Sequence, residues 1–337
     1  MSGAPACLSH SRVTITPALR AAVDRLDRHS RHQAAYHFGW ITAEGLPTDA
    51  DAGKAVRPAL ALLSAEAVGA PAAVALPGAV AVELVHNFSL VHDDLMDGDE
   101  ERRHRRTVWK LWGPSSAILT GDAMLALAQE VLLDTGLPTA APAARLLART
   151  TRHLIRGQVQ DLSFEQRSHV TVAECVDMAA GKTGALLSAS AAIGAVLAGA
   201  PEATVDALAL YGDQVGLAFQ LVDDVLGIWG DPAVTGKSVH SDLRSRKKSL
   251  PVSHALNQEG PLNDELAAWL AAPGDPEEEE LRRVAGLIEE AGGRAWALAE
   301  AARRLALAED ALRGAELDAH ARDELLALGR FVVDREV

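Results

Sequence analysis

The sequence predicts an all-α fold, a single large helical bundle, from its composition and from the spacing of its helix-breaking Gly and Pro residues. Ala and Leu, which favour helices, are abundant, and aromatic residues make up only 4% of the 337 residues. Short breaks containing Gly or Pro separate segments whose apolar residues recur at helical spacing, as in Leu281, Val284 and Ile288. We expect residues 1–15 to form a flexible N-terminal segment and residues 16–337 to form one all-α domain.

The overall charge and cysteine content exclude several classes of protein. With 32 basic and 46 acidic residues the net charge is −14, so general nucleic-acid binding is not expected. Cys7 and Cys175 form neither a disulfide framework nor a zinc pattern, and Met1 to Thr16 lacks a signal-peptide pattern, which together indicate the cytoplasm. The longest uncharged apolar stretch, Gly184 to Pro201, is short for a membrane span, so no stable membrane insertion is expected.

The first segment that leads to candidate functional residues is Ala79 to Val91, a mostly apolar helix expected to follow a break at Pro77-Gly78. It runs into Asp93-Asp94-Leu95-Met96-Asp97. Asp93 and Asp97 are ~400° apart on a helix, so their carboxylates share one face, and two like charges near a helix C-terminus are unfavourable without a cation. Mg²⁺ is the natural candidate. The alternative is a solvated helix end, because the acidic run continues to Glu101.

A second apolar helix, Tyr211 to Ile228, carries Asp223 and Asp224 toward its C-terminal end. A buried aspartate pair is costly unless it is paired or bound to a metal. Two such helices in one chain therefore predict two metal-binding walls of one pocket, which binds a diphosphate ester through Mg²⁺. Unrelated surface turns are the alternative.

Cationic residues flank both clusters. Arg102-Arg103-His104-Arg105-Arg106 follows the first cluster, and guanidinium groups bind phosphate as a bidentate fork, although surface ion pairing explains such a run equally well. A short Gly-Lys turn at residues 53–58 indicates anion binding only weakly, because Walker spacing is absent. His86, seven residues before Asp93, shares its helix face, and a core histidine is the alternative interpretation.

These motifs, in this order, resemble the all-trans (E-type) polyprenyl diphosphate synthase family, most closely its bacterial geranylgeranyl diphosphate synthases. The resemblance covers residues from about 50 to about 255 and depends on the ordered set rather than on any single motif. The matching elements are Gly53-Lys54-x-x-Arg57-Pro58, His86, His92 to Asp97, Arg102-Arg103, Gly121-Asp122-Ala123, Gly157-Gln158-x-x-Asp161, Lys182-Thr183-Gly184, Phe219-Gln220-x-x-Asp223-Asp224, Gly236-Lys237 and Asp242 to Pro251.

The resemblance implies an all-α bundle around a deep central cavity, usually a homodimer. It implies a Mg²⁺-dependent prenyltransferase, with three ions, that condenses isopentenyl diphosphate with an allylic diphosphate (dimethylallyl, geranyl or farnesyl). It also implies these roles: metal ligation by Asp93, Asp97 and Asp223 with support from Asp94 and Asp224; allylic diphosphate binding by Arg102, Lys182 and Lys237 with Lys247 nearby; isopentenyl diphosphate binding by Lys54, Arg57, His86 and Arg103; and a reacting centre lined by Gln158, Asp161, Thr183 and Gln220.

Three positions depart from the family pattern. Gly227 stands where a third aspartate is usual, His104 replaces a usual glycine, and Ala55 replaces a longer residue. Within the family, bulky Phe88 and small Ser89 before a short first motif resemble synthases of geranylgeranyl diphosphate, although Phe88 is equally well explained as a core aromatic.

Two other functions fit the same fold. A terpene cyclase would act on one prenyl diphosphate and could lose the isopentenyl pocket, whereas Lys54, Arg57, His86 and Arg103 are all retained. A non-catalytic subunit of a synthase would be expected to lose its first aspartates, and this chain keeps them.

Overall fold

The computed structural model describes residues 5–48, 50, 53–231 and 239–333, and it is helical almost throughout. The only paired strands among these residues are Glu101–Arg102 and Arg105–Arg106, which form an antiparallel hairpin. This confirms the predicted all-α class. The helices are Ala6–Val23, Arg28–His37, Val56–Ala67, Ala72–Met96, Val108–Trp112, Pro114–Leu133, Ala140–Glu165, Val172–Ala179, Ala185–Ala198, Glu202–Trp229, Ser241–Arg244, Leu250–Leu256, Pro261–Ala271, Glu278–Glu290, Gly293–Arg313 and Ala319–Val333, with a π-helical turn at Ala180–Gly184.

The chain divides into two compact units. The first comprises Met1–Thr151, Ala189–Ala209 and Gly314–Leu328, and the second comprises Arg152–Ser188, Leu210–Arg313 and Gly329–Val337. Because both units are discontinuous, the chain passes between them several times. The single-domain organisation expected for residues 16–337 stays a prediction.

Helix Ala72–Met96, called here the first aspartate helix, carries much of the core of the first unit. Its side chains from Ala79 to Val85 are all buried, and burying each Val or Leu contributes about 1.5–3 kcal/mol. The break expected at Pro77-Gly78 is wrong, because the helix runs through both residues. Pro77 lies near the helix start, and Gly78 lets Ile193 approach so closely that a Cβ on Gly78 would lie 3.1 Å from its side chain.

The structure also differs from the flexible N-terminal segment expected for residues 1–15. Residues 6–15 belong to helix Ala6–Val23, whose Leu8, Ser11 and Ile15 are buried at helical spacing. Pro17 lies inside this helix instead of marking the start of the helical pattern. The burial of Leu8 and Ile15 in the first unit stabilises a helix that sequence punctuation did not indicate.

Helix Glu202–Trp229, called here the second aspartate helix, forms the core of the second unit from Leu210 onward. Leu221 and Val222 pack in a buried cluster with Met178 and Leu250. One turn further along, Ile228 packs in another buried cluster around Trp269. The helix is therefore held on both sides of its aspartates, which fixes their direction within the unit.

Three described helices are long and apolar enough to cross a membrane, judged by length and composition alone. They are Ala72–Met96, Pro114–Leu133 and the continuous run Val172–Ala198, of whose apolar windows 72%, 39% and 67% are buried within the protein. Two of the three are thus mainly core helices, and in Pro114–Leu133 less than half of the apolar window is buried.

Candidate active site

The first aspartate helix ends in three aspartates with different surroundings. Asp93 is partly exposed, Asp94 is buried and Asp97 is exposed. The Asp97 amide donates to the Asp93 carbonyl over 2.8 Å, so the helix closes at the predicted pair. Asp93 and Asp97 thus lie on one solvent-reaching face at the helix end, as their spacing predicted.

Asp94 points away from that face and is held by an arginine. Arg102 Nε donates to Asp94 Oδ1 over 2.6 Å, while Asp94 Oδ2 is buried without a hydrogen-bond partner among the described residues. Burial raises the pKa of Asp94 to about 6, against the opposing effect of Arg102. Asp94 therefore fixes Arg102 in the first unit, and its supporting role toward metal stays a prediction.

The arginine run forms a hairpin in which each arginine has a different surrounding. Arg105 is structural, because its guanidinium donates to the Tyr36 carbonyl over 2.8 Å and stacks 4.0 Å from the Tyr36 ring centroid. Arg103 and His104 occupy the turn, both with positive φ (51° and 60°). Arg105 thus anchors the hairpin. Arg102 and Arg103, the two predicted substrate contacts, lie toward the first aspartate helix.

The Gly-Lys turn lies against this hairpin. Gly53 has φ +92°, and a Cβ on it would lie 2.7 Å from Arg103 Nη2. The Gly53 carbonyl also accepts a hydrogen bond from Arg12. The turn leads into helix Val56–Ala67, which starts just before the predicted Arg57. This close approach brings two predicted isopentenyl-diphosphate contacts, Arg57 and Arg103, into one region, and exposed Lys54 lies in the turn between Gly53 and Arg57.

Arg57 is partly buried, and Glu83 on the first aspartate helix acts on it through its charge. Burial lowers the pKa of Arg57 to about 10, and Glu83 opposes this shift. Burial raises the pKa of Glu83, which accepts a hydrogen bond from Asn87 over 3.0 Å. The Nε of Arg57 has no hydrogen-bond partner among the described residues. A buried donor of this kind suits an anionic ligand.

Two neutral imidazoles complete this cationic region. Burial, followed by the charges of Arg102 and Arg103, lowers the pKa of His37 to about 3. Burial and the charge of Arg57 lower the pKa of His86 well below its usual value. The predicted His86 therefore lies near Arg57, and its imidazole is uncharged at neutral pH.

His37, Glu83 and Asn87 are members of this region that the sequence did not single out. His37 lies at the end of helix Arg28–His37, which Asp27 caps by accepting from the His29 amide over 2.9 Å. Glu83 and Asn87 lie four residues apart on the first aspartate helix. This spacing puts both side chains on one helix face, which indicates a shared role only weakly. A cavity of about 20 Å³, the size of one water, is lined by His37, Asp94 and the arginines.

In the second unit, glycines bring the predicted catalytic residues together. A Cβ on Gly157 would lie 2.3 Å from the backbone nitrogen of Lys182, so helix Ala140–Glu165 touches the π-helical turn directly. Lys182 Nζ then donates to Asp161 Oδ2 over 2.6 Å. π-Helical turns recur at functional sites, because they redirect side chains and loosen backbone hydrogen bonding. Gln158 is buried beside Gly157, and its amide has no hydrogen-bond partner among the described residues.

A hydrogen-bonded chain continues from the π-helical turn to the second aspartate helix. Thr183 Oγ1 donates to Gln220 Oε1 over 2.6 Å, and Gln220 Nε2 donates to Asp224 Oδ1 over 2.7 Å. The Leu250 amide donates to Asp224 Oδ2 over 2.9 Å. Burial raises the pKa of Asp224 to about 7. Asp224 thus organises the interior, and partly exposed Asp223 carries the outward-facing carboxylate.

Lys247 lies among carboxylates of the second unit. Burial lowers its pKa, but the charges of Asp224, Asp161, Asp242 and Asp223 outweigh that effect and leave the pKa raised. The predicted place of Lys247 near the allylic diphosphate stays a prediction. Lys237, predicted to contact the allylic diphosphate, lies outside the described residues.

Phe88 and Ser89 point to different sides of the first aspartate helix. Phe88 is 5% exposed and packs edge-to-face on His92, with ring centroids 5.0 Å apart. The Ser89 hydroxyl donates to the His86 carbonyl over 2.8 Å and lies one turn before Asp93 on the same face. The small residue, not the aromatic one, therefore lies one turn below Asp93 on its face of the helix.

The predicted magnesium requires oxygen ligands. Among residues 5–48, 50, 53–231 and 239–333, no three His, Cys, Asp or Glu side chains lie close enough together to hold an ion. The solvent-reaching donors, Asp93, Asp97 and Asp223, are all carboxylates. Magnesium typically binds one or two carboxylates and completes its shell with water and phosphate oxygens. The residues therefore fit an ion that arrives with a diphosphate.

An all-α scaffold with buried cations, outward-facing aspartates and a Lys-Thr-Gln network defines a helical enzyme acting on diphosphate esters. Residues 48–288 match the polyprenyl synthetase family, and the chain belongs to that family. It is an all-trans prenyl diphosphate synthase, a prenyltransferase of isoprenoid biosynthesis. The family uses allylic and isopentenyl diphosphates together with a divalent metal.

The chain resembles named relatives over nearly its full length. It is 53% identical over 325 residues to (2E,6E)-farnesyl diphosphate synthase of Mycobacterium tuberculosis, covering 96% of this chain and 90% of the relative. It is 42% identical over 334 residues to geranylgeranyl diphosphate synthase of the same organism, covering 98% and 94%. The crystal structure of polyprenyl synthetase from Streptomyces coelicolor A3(2) matches with a TM-score of 0.94 and 56% identity, covering 97% and 99%. These relatives do not favour the cyclase or subunit alternatives.

Proposed function

We propose that this prenyltransferase uses Mg²⁺ to condense a farnesyl or shorter allylic diphosphate with isopentenyl diphosphate and releases geranylgeranyl diphosphate. The observation that carries the chain length is Ser89, a small residue one turn before Asp93 whose hydroxyl turns back onto its own helix. The charged residues of each unit support the binding of the two substrates and the ionisation of the allylic diphosphate.

Isopentenyl diphosphate binds in the cationic region of the first unit. Arg57, Arg103 and Lys54 supply positive charge, and Glu83 is the one acidic group that affects the pKa of Arg57. Neutral His86 donates a hydrogen bond, because its lowered pKa keeps it uncharged at working pH. An anionic ligand would satisfy the buried Arg57 Nε, which no described residue pairs.

The allylic diphosphate ionises at residues of the second unit. Its C–O bond breaks, the electron pair leaves with the diphosphate and positive charge develops on carbon. Lys182, held by Asp161 over 2.6 Å, stabilises the leaving diphosphate together with Lys237 and Lys247. Oxygen atoms of Thr183, Gln158 and Gln220 face the developing cation. The isopentenyl alkene then forms the new C–C bond, and the diphosphate takes the lost proton.

Asp93 and Asp97 would hold Mg²⁺ ions in the first unit, and Asp223 would hold one in the second. Three such ions would supply electrostatic stabilisation of the leaving diphosphate. Asp94 and Asp224 act indirectly, since both accept hydrogen bonds from protein donors, Arg102 and Gln220. A buried reacting centre excludes water, which protects the carbocation.

Geranylgeranyl diphosphate is favoured over farnesyl diphosphate by the direction of two neighbouring side chains. Phe88 is turned onto His92, which lies within 3.0 Å of the Ile118 carbonyl. Ser89 leaves the face below Asp93 without bulk. Farnesyl diphosphate is the second candidate product, because the 53% identical relative is named a farnesyl diphosphate synthase.

The deciding experiment is a product analysis of purified protein. The protein is incubated with Mg²⁺, isopentenyl diphosphate and farnesyl diphosphate, and the dephosphorylated products are separated by mass. We expect a twenty-carbon product. A reaction that stops at fifteen carbons from geranyl diphosphate would support the farnesyl alternative. A hydrocarbon formed from the allylic substrate alone would support a cyclase, and no turnover with any starter would support a non-catalytic subunit.

We also propose a homodimer that works in the cytoplasm without stable membrane insertion or nucleic-acid binding. Helix Pro114–Leu133 exposes Ile118 (45%), Leu119 (64%) and Leu133 (54%), an apolar surface suited to a second copy of this chain. The described Cys7 and Cys175 are free thiols, compatible with a reducing compartment. Light scattering of wild type and Leu119→Asp tests the dimer, which the substitution should weaken.

A further inference from the structure

The second aspartate helix lacks an acidic side chain one turn after Asp223, and the structure brings another carboxylate to that place. Position 227 is glycine. A Cβ built on Gly227 would lie 2.4 Å from Asp242 Oδ2, 2.5 Å from its Cγ and 2.8 Å from its Oδ1. The whole carboxylate of Asp242 thus occupies the space where a side chain at position 227 would begin.

The segment around Asp242 is built to hold this position. His240 adopts a left-handed backbone (φ 60°) before the short helix Ser241–Arg244, and the Ser241 hydroxyl donates to the Gly227 carbonyl over 3.3 Å. Leu243 is fully buried, and the Lys247 amide donates to the Asp242 carbonyl over 2.9 Å. The backbone on both sides of Asp242 is therefore tied to the second aspartate helix or to its own turn.

The resulting geometry repeats that of the first cluster. Asp93 and Asp97 are one turn apart, a spacing that puts Cβ atoms about 5–6 Å from each other. Asp223 and position 227 have the same spacing, so the Asp242 carboxylate lies beside the face of Asp223.

We propose that Asp242 is the second metal-binding carboxylate of the second unit and acts in place of the residue missing at Gly227. This inference rests on the proposed magnesium-dependent function and extends it by one residue. The second cluster is then not a reduced site dependent on Asp223 alone but a carboxylate pair drawn from a helix and a following turn. The pair binds a hard divalent cation together with diphosphate oxygens.

The test measures metal binding, separately from catalysis. Titration calorimetry of Mn²⁺ in saturating inorganic diphosphate compares wild type with Asp242→Ala, Asp242→Asn and the double variant Asp242→Ala/Gly227→Asp. Asp264→Ala, an exposed acidic position in the same unit, is the matched control. Circular dichroism and thermal unfolding confirm that each variant is folded, and Asp242→Asn, which keeps the side-chain shape, covers the case in which the alanine variant does not fold.

We expect both single Asp242 variants to bind Mn²⁺ at least about tenfold more weakly than the control. We expect the double variant, whose new aspartate grows from the helix into the vacated space, to recover affinity to within about threefold of wild type. Unchanged binding in Asp242→Asn overturns the proposal. Weakened binding that Gly227→Asp does not rescue also overturns it, because Asp242 would then matter only for the fold.

The product assay separates this inference from the proposed function. A wild-type protein that makes no prenyl diphosphate, but whose Mn²⁺ affinity falls on Asp242 substitution and recovers in the double variant, would refute the function and keep the metal assignment. If the wild type makes a prenyl diphosphate but the Asp242 variants bind Mn²⁺ as tightly as the wild type, the proposed function stands and the metal assignment is refuted.

Discussion

Arg102 Nε and Asp94 Oδ1 lie 2.6 Å apart at the end of the first aspartate helix, with only 2% of the Asp94 side chain exposed. The contact gives neighbouring aspartates different tasks, since Asp94 faces inward and Asp93 faces solvent. Asp94 anchors Arg102, which is predicted to bind substrate, and it couples the aspartate motif to the arginine hairpin that follows it.

Asp94→Ala should therefore reduce stability. Removing one partner of a mostly buried charged pair leaves Arg102 partly desolvated and unpaired, at a cost of about 1–3 kcal/mol in the free energy of unfolding. Urea unfolding measures this change. Asp97→Ala, at an exposed position of the same motif, should stay within about 0.5 kcal/mol of wild type. Equal effects of the two substitutions would contradict the anchoring role.

Asp93→Ala should abolish turnover while leaving the fold intact. Asp93 is partly exposed at the helix end, and we propose that its carboxylate binds the metal. Its loss should then remove stabilisation of the leaving diphosphate and lower the rate about a thousandfold. Radiolabelled isopentenyl diphosphate incorporation measures turnover, and far-ultraviolet circular dichroism should be unchanged. Asp99→Ala, an exposed acidic residue of the same run, is the control and should remain active. An active Asp93→Ala would refute the metal role.

Ser89→Phe should shorten the product. The ring would project from the face that carries Asp93, one turn below it, where Ser89 is 8% exposed. Chain growth should then stop at fifteen carbons, which mass analysis of dephosphorylated products would detect. Ser89→Ala keeps the space and should keep the longer product. An unchanged product from Ser89→Phe would show that another surface limits chain length.

His104→Gly should stabilise the arginine hairpin. His104 has φ 60°, a left-handed backbone that costs a non-glycine residue about 1–2 kcal/mol. Glycine removes that strain but adds freedom to the unfolded chain, so we expect a net gain of about 0.5–1 kcal/mol. Urea unfolding measures it, and His104→Ala, which keeps the strain, should give no gain. A loss of stability in His104→Gly would mean that the imidazole makes a compensating contact.

Acid should destabilise the protein through His37. Its pKa is about 3 when folded and 6.5 when unfolded, so the unfolded chain takes up the proton first as pH falls. Stability is therefore fully present above pH 6.5 and is lost progressively toward pH 3. Between pH 7 and pH 5, wild type should lose about 1–2 kcal/mol more than His37→Gln in urea unfolding. The exposed His320→Gln should follow wild type, and parallel losses in all three proteins would contradict the assignment.

The arrangement of residues within one helix was predictable, because helical periodicity decides which side chains share a face. Spacing alone placed Asp93 and Asp97 on one face and turned Asp94 away, and the structure agrees. The predicted break at Pro77-Gly78 was wrong, since the presence of Pro and Gly in the sequence cannot show that Gly78 allows close packing against Ile193 and Leu197. The helix at residues 6–15 was missed for a related reason: its stability comes from burying Leu8 and Ile15, which local propensity does not report.

The sequence by itself determined the helical class, the two aspartate clusters and the cations that accompany them, because composition and short-range spacing carry that information. Only the tertiary structure decided which charged groups do which task. It pairs Asp94 with Arg102, joins Lys182 to Asp161, and brings Asp242 to the space beside Gly227. These contacts join residues on separate elements, so they depend on how closely backbones approach, and a linear pattern of residues does not encode that distance.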